Sequence, residues 1–214
     1  MKHIYGTMLR GLLAGIMIAI AATGYLVVDN KYFAATIFAI GLFTIYFFGF
    51  YLYTGKVGYI AEKKNTLEVC VVYLSNIVGT ILCGLLLLNT RIVETGIVEK
   101  TAELALHKIH DGPLSVLILS FFCGVLMFLA AEANNYAKAT NNPIFGAVVI
   151  YLCVVTFLLA GFDHSIANTF YFTLGKAWSM HAVVSLIVAT IGNALGGLFF
   201  CSCFMALKKD NTAH

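Results

Sequence analysis

Asp163-His164-Ser165 stands inside a long apolar run, where ionisable side chains are rare. In a membrane segment such a group costs roughly 3 kcal/mol or more, so its presence points to a task. Burial in apolar surroundings favours the uncharged imidazole of His164. That ring can donate a hydrogen bond to an anion or exchange a proton with a weak acid. Alternatively, His164 is a buried histidine that holds an interrupted helix together. The charge of Asp163 would repel an anion, and its expected role is to accept hydrogen bonds from backbone donors freed by an interruption. Asn168 offers donors and acceptors, and suits either tying loops together or bracing His164. Thr54 occupies a second interrupted run. Its hydroxyl can give a proton to an anion or an imidazole without carrying charge, and can equally cap a half-helix.

Other chemistries fit poorly. Three consecutive residues cannot form a hydrolytic relay, because neighbours in sequence point apart. Cys70, Cys83, Cys123, Cys153, Cys201 and Cys203 all lie in apolar runs and read as small packing residues. No Cys/His cluster offers a metal site, so neither a cofactor nor a metal is expected, and the chain does not read as an enzyme.

The elements around these residues are set by lipid. Of 214 residues, 61% are hydrophobic and 11% charged, against about a quarter charged in an ordinary soluble domain. A net charge of +3, with no basic run interleaved with aromatics, argues against nucleic acid. Runs of about 20 apolar residues are needed to cross the hydrocarbon. They fall at about 9–28, 33–60, 71–88, 113–131, 144–174 and 181–207, with a polar connection at 89–112. The first run lacks a convincing signal-peptide exit and is kept as a helix. Six spans place both termini on one side. That side carries Lys2, Arg10, Lys56, Lys63, Lys64, Lys138, Lys208 and Lys209; the other carries Lys31, Arg91, Lys100, Lys108 and Lys176. The excess predicts cytoplasmic termini in a multi-pass protein of the cell membrane.

The second and fifth runs are too long and are interrupted. One carries Gly49-Phe50-Tyr51-Leu52-Tyr53-Thr54-Gly55, the other Gly161-Phe162-Asp163-His164-Ser165-Ile166-Ala167-Asn168. Ser75-Asn76-Ile77-Val78-Gly79 is likewise echoed by Gly192-Asn193-Ala194-Leu195-Gly196. The chain reads as one domain over 1–214, duplicated into halves of about 1–107 and 108–214. With three spans each, the halves must be inverted. Broken helices at matching places in inverted halves mark a solute path near the bilayer midplane. The fold class is therefore all-α: six transmembrane helices in two inverted three-helix repeats, with the second and fifth helices broken. Small residues such as Gly11, Gly15 and the 192–197 region would serve contacts between copies or between halves.

Over nearly its whole length the sequence resembles the formate/nitrite transporter family of pentameric small-anion channels with aquaporin-like protomers. The histidine-bearing segment 161–168 and the Leu52-Tyr53-Thr54 segment carry the resemblance. It implies a homopentamer in the lipid bilayer and a pore using His164, Thr54, Asn168 and Lys108. Lys108 would be an anion lure in the outer vestibule. Phe38 and Leu42 would form the outer constriction; Leu52 and Phe157, with Tyr53 nearby, would form the inner one. Gly124 stands where many relatives have asparagine, and Tyr53 where many have phenylalanine. The termini are short beside the extensions often seen in the family, so the resemblance carries no expectation of gating by the N-terminus. Formate or nitrite is the leading substrate, with hydrosulfide or a small carboxylate (acetate, lactate) the alternative. From other classes come a neutral-solute channel, which would usually carry paired Asn-Pro-Ala loops, and a non-transporting scaffold.

Overall fold

The computed structural model describes residues 2–211, and every regular element among them is helical. Helix α1 (Lys2–Val27) is followed by α2 (Lys31–Phe47) and a train of short turns: α3 (Tyr53–Lys56), a 3-10 turn (Val57–Tyr59) and α4 (Ile60–Lys63). Helix α5 (Thr66–Leu87), a 3-10 turn (Arg91–Thr95) and α6 (Ile97–His110) come next. Helices α7 (Pro113–Ala139), α8 (Pro143–Ala160), α9 (Ser165–Leu174) and α10 (Met180–Asn211) complete the chain. Helices α1, α5, α7, α8 and α10 are long and apolar enough to cross a membrane, whereas α2 has 17 residues. The connection read as polar loop at 89–112 instead holds α6. Ile97, Thr101, Ala105 and Ile109 recur at helical spacing and bury one face of it.

Local chemistry explains the ends. Asn30 Oδ1 accepts from the Tyr32 and Phe33 backbone N–H groups and starts α2. Proline occupies the first position of α7 and α8, where no intrahelical N–H is needed. The two interruptions are built alike. Gly49 and Gly161 take positive φ values of 69° and 73°, which glycine adopts without a Cβ penalty. Beyond each, a phenylalanine N–H turns back onto the helix: Phe50 to Ile45 O (2.8 Å) and Phe162 to Phe157 O (2.9 Å). This is the helix-ending loop in which the sixth residue bonds the first.

Two fully buried asparagines hold the loops beyond these glycines. Asn76 Nδ2 donates to Gly11 O and Tyr51 O, and its Oδ1 accepts from the Tyr53 N–H. Asn193 Nδ2 donates to Ser120 O and Asp163 O, and its Oδ1 accepts from the Ser165 N–H. Each asparagine thus ties a straight helix to the loop of a broken one. Helix α5 lies along α1, and α10 along α7. The approach is close: a Cβ on Gly15 would meet the Asn76 carbonyl, and one on Gly124 the Asn193 carbonyl. Gly124 is therefore a packing position with no room for a side chain. Gly11 faces Ser75 and Gly192 faces Ser120, so these small residues pack within the chain and not toward another copy.

Candidate functional site

The two loops meet at Thr54 and His164. Thr54 Oγ1 lies 2.9 Å from His164 Nε2, with both residues buried. His164 is the N-cap of α9, and its Nδ1 accepts the Ala167 N–H at 3.3 Å. An acceptor cannot carry a hydrogen, so the neutral ring has its proton on Nε2 and donates it to Thr54. Among the described residues the Thr54 hydroxyl has no other partner, which leaves its own hydrogen free to reach a solute. The Phe157 ring flanks the imidazole at a centroid distance of 5.8 Å, and Phe38 meets Phe157 edge-on at 5.6 Å.

Cavities approach this contact from two sides. A narrow one of about 50 Å³ is bounded by Tyr25, Leu104, Lys108, Phe157, His164 and Asn168. A wider one of about 200 Å³ is bounded by Leu52, Gly55, Lys56, Tyr59, Lys63 and Lys138, among others. Phe157 thus lines the Lys108-side cavity and not the one that Leu52 bounds; Phe38 lines neither, and meets the narrow one only through the Phe157 and Tyr25 rings. Leu42, one turn along α2 from Phe38, is fully buried and lines neither cavity. Tyr53 lines neither cavity either; its phenol turns away toward α10.

Lys108 does not stand free in a vestibule. Its Nζ pairs with Asp163 Oδ1 at 2.5 Å, and the side chains are 14% and 3% exposed. Asn168 Nδ2 donates to the same carboxylate oxygen at 3.1 Å. The Asp163 carboxylate is therefore held by side chains, while the Ser165 backbone N–H goes to Asn193 and that of Phe162 to Phe157 O. Because the amide nitrogen must face the carboxylate, Asn168 Oδ1 is the free end, buried without a partner among the described residues. The cationic side chains that sequence reasoning passed over are those of the wider cavity. Lys56 lies over the Tyr51 ring at 3.5 Å and pairs with Glu68 at 3.0 Å. Lys63 and Lys138 complete the rim. Their clustering was visible only as topology-setting charge, because residues 56, 63 and 138 come from separate turns. Asn76 and Asn193 were legible as an echo but not as loop braces.

The family model for the formate/nitrite transporter matches residues 1–207. The chain belongs to this family. It is accordingly a multi-pass membrane protein of a family of transporters and channels, not an enzyme family. Among curated relatives, the uncharacterized transporter YwcJ of Bacillus subtilis is 27% identical, the match covering 89% of this chain and 84% of that protein. The formate channel FocA of Escherichia coli is 25% identical over 100% of this chain and 90% of its own. Among solved structures, a pentameric formate channel with formate bound superposes with a TM-score of 0.84 at 25% identity, covering 97% of this chain and 98% of that one. An ion channel of the family gives a TM-score of 0.77 at 19% identity, covering 96% and 89%, and supports the fold alone. Within the family fold, the Thr54–His164 contact, the Lys108–Asp163–Asn168 cluster and the two cavities are what this chain places at the centre.

Proposed function

We propose that the protein is a channel for small monovalent anions of weak acids, with formate or nitrite the first candidates. In this reading it is a homopentamer in the cell membrane, with a pore in each protomer and both termini cytoplasmic. Each protomer has six spans in two inverted halves, α2 with its following turns forming one span and α8 with α9 another. The repeated loop bonds and asparagine braces support the duplication, and the likeness to a pentameric formate channel supports the assembly and the substrate class. One observation carries the reading: a hydroxyl and a neutral imidazole meet at 2.9 Å between two cavities, at the junction of two broken helices.

The mechanism rests on what those atoms can do. Lysines on the wider mouth raise the local concentration of anions. Between Leu52 and the Phe38–Phe157 pair the anion loses water, and a bare charge in an apolar constriction is costly. Its basicity rises accordingly, and it takes a proton and crosses as the neutral acid. The His164 tautomer assigns the roles. Nε2–H holds the Thr54 oxygen, so the Thr54 O–H points at the solute as a donor. Taking a second proton at Nδ1 would break the Ala167 cap, so the proton that neutralises the anion comes from the water of the mouth, and the hydroxide left behind stays in the bulk solution on that side. Asn168 Oδ1 is then placed to accept the O–H of the newly formed acid.

The test is flux of formate, nitrite and hydrosulfide into proteoliposomes at about pH 5.5 and 7.5, which bracket the ordinary histidine range. His164→Asn is run alongside, because asparagine also caps helices. Anion flux is expected in both. In the variant it falls by about two- to tenfold for the lost donor, and the remaining pH dependence is that of the weak acid itself. Folded protein that passes glycerol or water but no anion would overturn the reading.

A further inference from the structure

Two tyrosine hydroxyls outside both cavities converge on a single residue of α10. The Tyr53 O–H donates to Thr190 O at 3.2 Å, and the Tyr73 hydroxyl lies 2.8 Å from Thr190 Oγ1. Thr190 already gives its own hydroxyl hydrogen to Leu186 O at 2.8 Å. A threonine hydroxyl has one hydrogen, so Tyr73 is the donor in the second bond. The two rings pack with centroids 4.7 Å apart and planes tilted by 58°. Tyr53 also donates its backbone N–H to Asn76 Oδ1 at 2.8 Å. It is thus fastened to α5 through its main chain and to α10 through its phenol, and is only 7% exposed.

What Tyr53 fastens is the functional part of the first loop. Leu52, immediately before it, bounds the wider cavity; Thr54, immediately after it, meets His164. The α3 turn they begin is four residues long, too short to hold its own place by helix cooperativity. Neither Tyr53 nor Tyr73 lines a cavity described above, so cavity water does not replace a lost anchor.

We propose that Tyr53 is a positioning residue whose phenol, anchored on Thr190 and backed by Tyr73, sets where Leu52 and Thr54 stand, and so fixes the size cut-off of the pore. This rests on the channel reading above. The fastening itself is read from the loop and does not need that reading. Loss of the hydroxyl frees the turn to shift, which widens the passage for a larger carboxylate and loosens the Thr54–His164 contact together.

The experiment compares wild type with Tyr53→Phe, Tyr73→Phe and the double variant in proteoliposomes. It reads the acetate-to-formate flux ratio and the pH profile. In parallel, hydrogen exchange is measured at the amides of residues 52–56 in the purified protein. Tyr53→Phe keeps the ring and its burial. It is expected to raise the ratio by about two- to tenfold, the span of one net hydrogen bond, and to speed exchange. Tyr73→Phe moves both in the same direction by less. The double variant falls short of the product of the singles, because the three groups act as one network. Unchanged ratio, profile and exchange in folded Tyr53→Phe protein would overturn the proposal, as would strict additivity. Should that variant not fold, Thr190→Val, which removes the acceptor of Tyr73 and the hydroxyl's own bond to Leu186 O but keeps the main-chain acceptor of Tyr53, gives the smaller shift or overturns in the same way. If wild type carries no anion, the channel reading fails, and exchange alone decides on the fastening.

Discussion

Lys108 and Asp163 set the sharpest question at the scale of the residue. A lysine ahead of the fourth span reads as a lure, but its Nζ is committed to a carboxylate that is 3% exposed. Removing one partner of a buried pair leaves the other charge uncompensated, at a cost of about 3–5 kcal/mol, whereas removing both is often tolerated. Lys108→Met should therefore lower the thermal midpoint of the purified protein sharply and depress flux with it. Adding Asp163→Asn should restore most of both, since Asn168 can turn its amide to suit a neutral partner. A lure predicts the opposite for flux, with the double variant as poor as the single, so the pair of measurements separates the two roles. The sequence could not show this, because the partners are far apart along the chain and only the α8–α9 break brings them together.

At the scale of the element, the two asparagine braces decide where the loops stand. Replacing Asn76 by alanine strips partners from Tyr51 O and Tyr53 N–H, and replacing Asn193 strips them from Asp163 O and Ser165 N–H. Each orphaned buried group costs about 1–3 kcal/mol. Both variants should then lose on the order of 2–6 kcal/mol, to a similar extent, as followed by thermal or denaturant unfolding in detergent. Very unequal losses would mean that the two halves do not hold their breaks in the same way. The breaks themselves were legible, because Gly49 and Gly161 interrupt apolar runs where only a positive φ lets the helix end so abruptly. The braces were not, because their partners are main-chain groups, which any residue type supplies. Helix α6 escaped notice for another reason. Its buried face recurs every four residues, yet a search for long apolar runs passes over an amphipathic helix. Phe157 falls in the last turn of α8, just before the break, and this puts its ring on the Lys108 side; spacing along the chain does not reveal on which side of a break a helix ends.

For the molecule as a whole, both cavities and the Thr54–His164 contact are formed by one chain. The glycine contacts that would have suited an interface between copies are taken up inside the protomer. The pore should therefore be a property of each protomer, with assembly holding it in place. This can be tested by mixing. Co-assembling wild type with a pore-dead variant, such as one with Thr54→Trp filling the meeting point, should give formate flux that falls in direct proportion to the fraction of variant. A single pore shared along the axis of the assembly would instead lose flux steeply, because one dead copy would block every complex that contains it. Proportional loss, together with an unchanged complex size by native mass spectrometry, places the conduction path within the protomer; a steep loss at the same size would move it to the interface between copies.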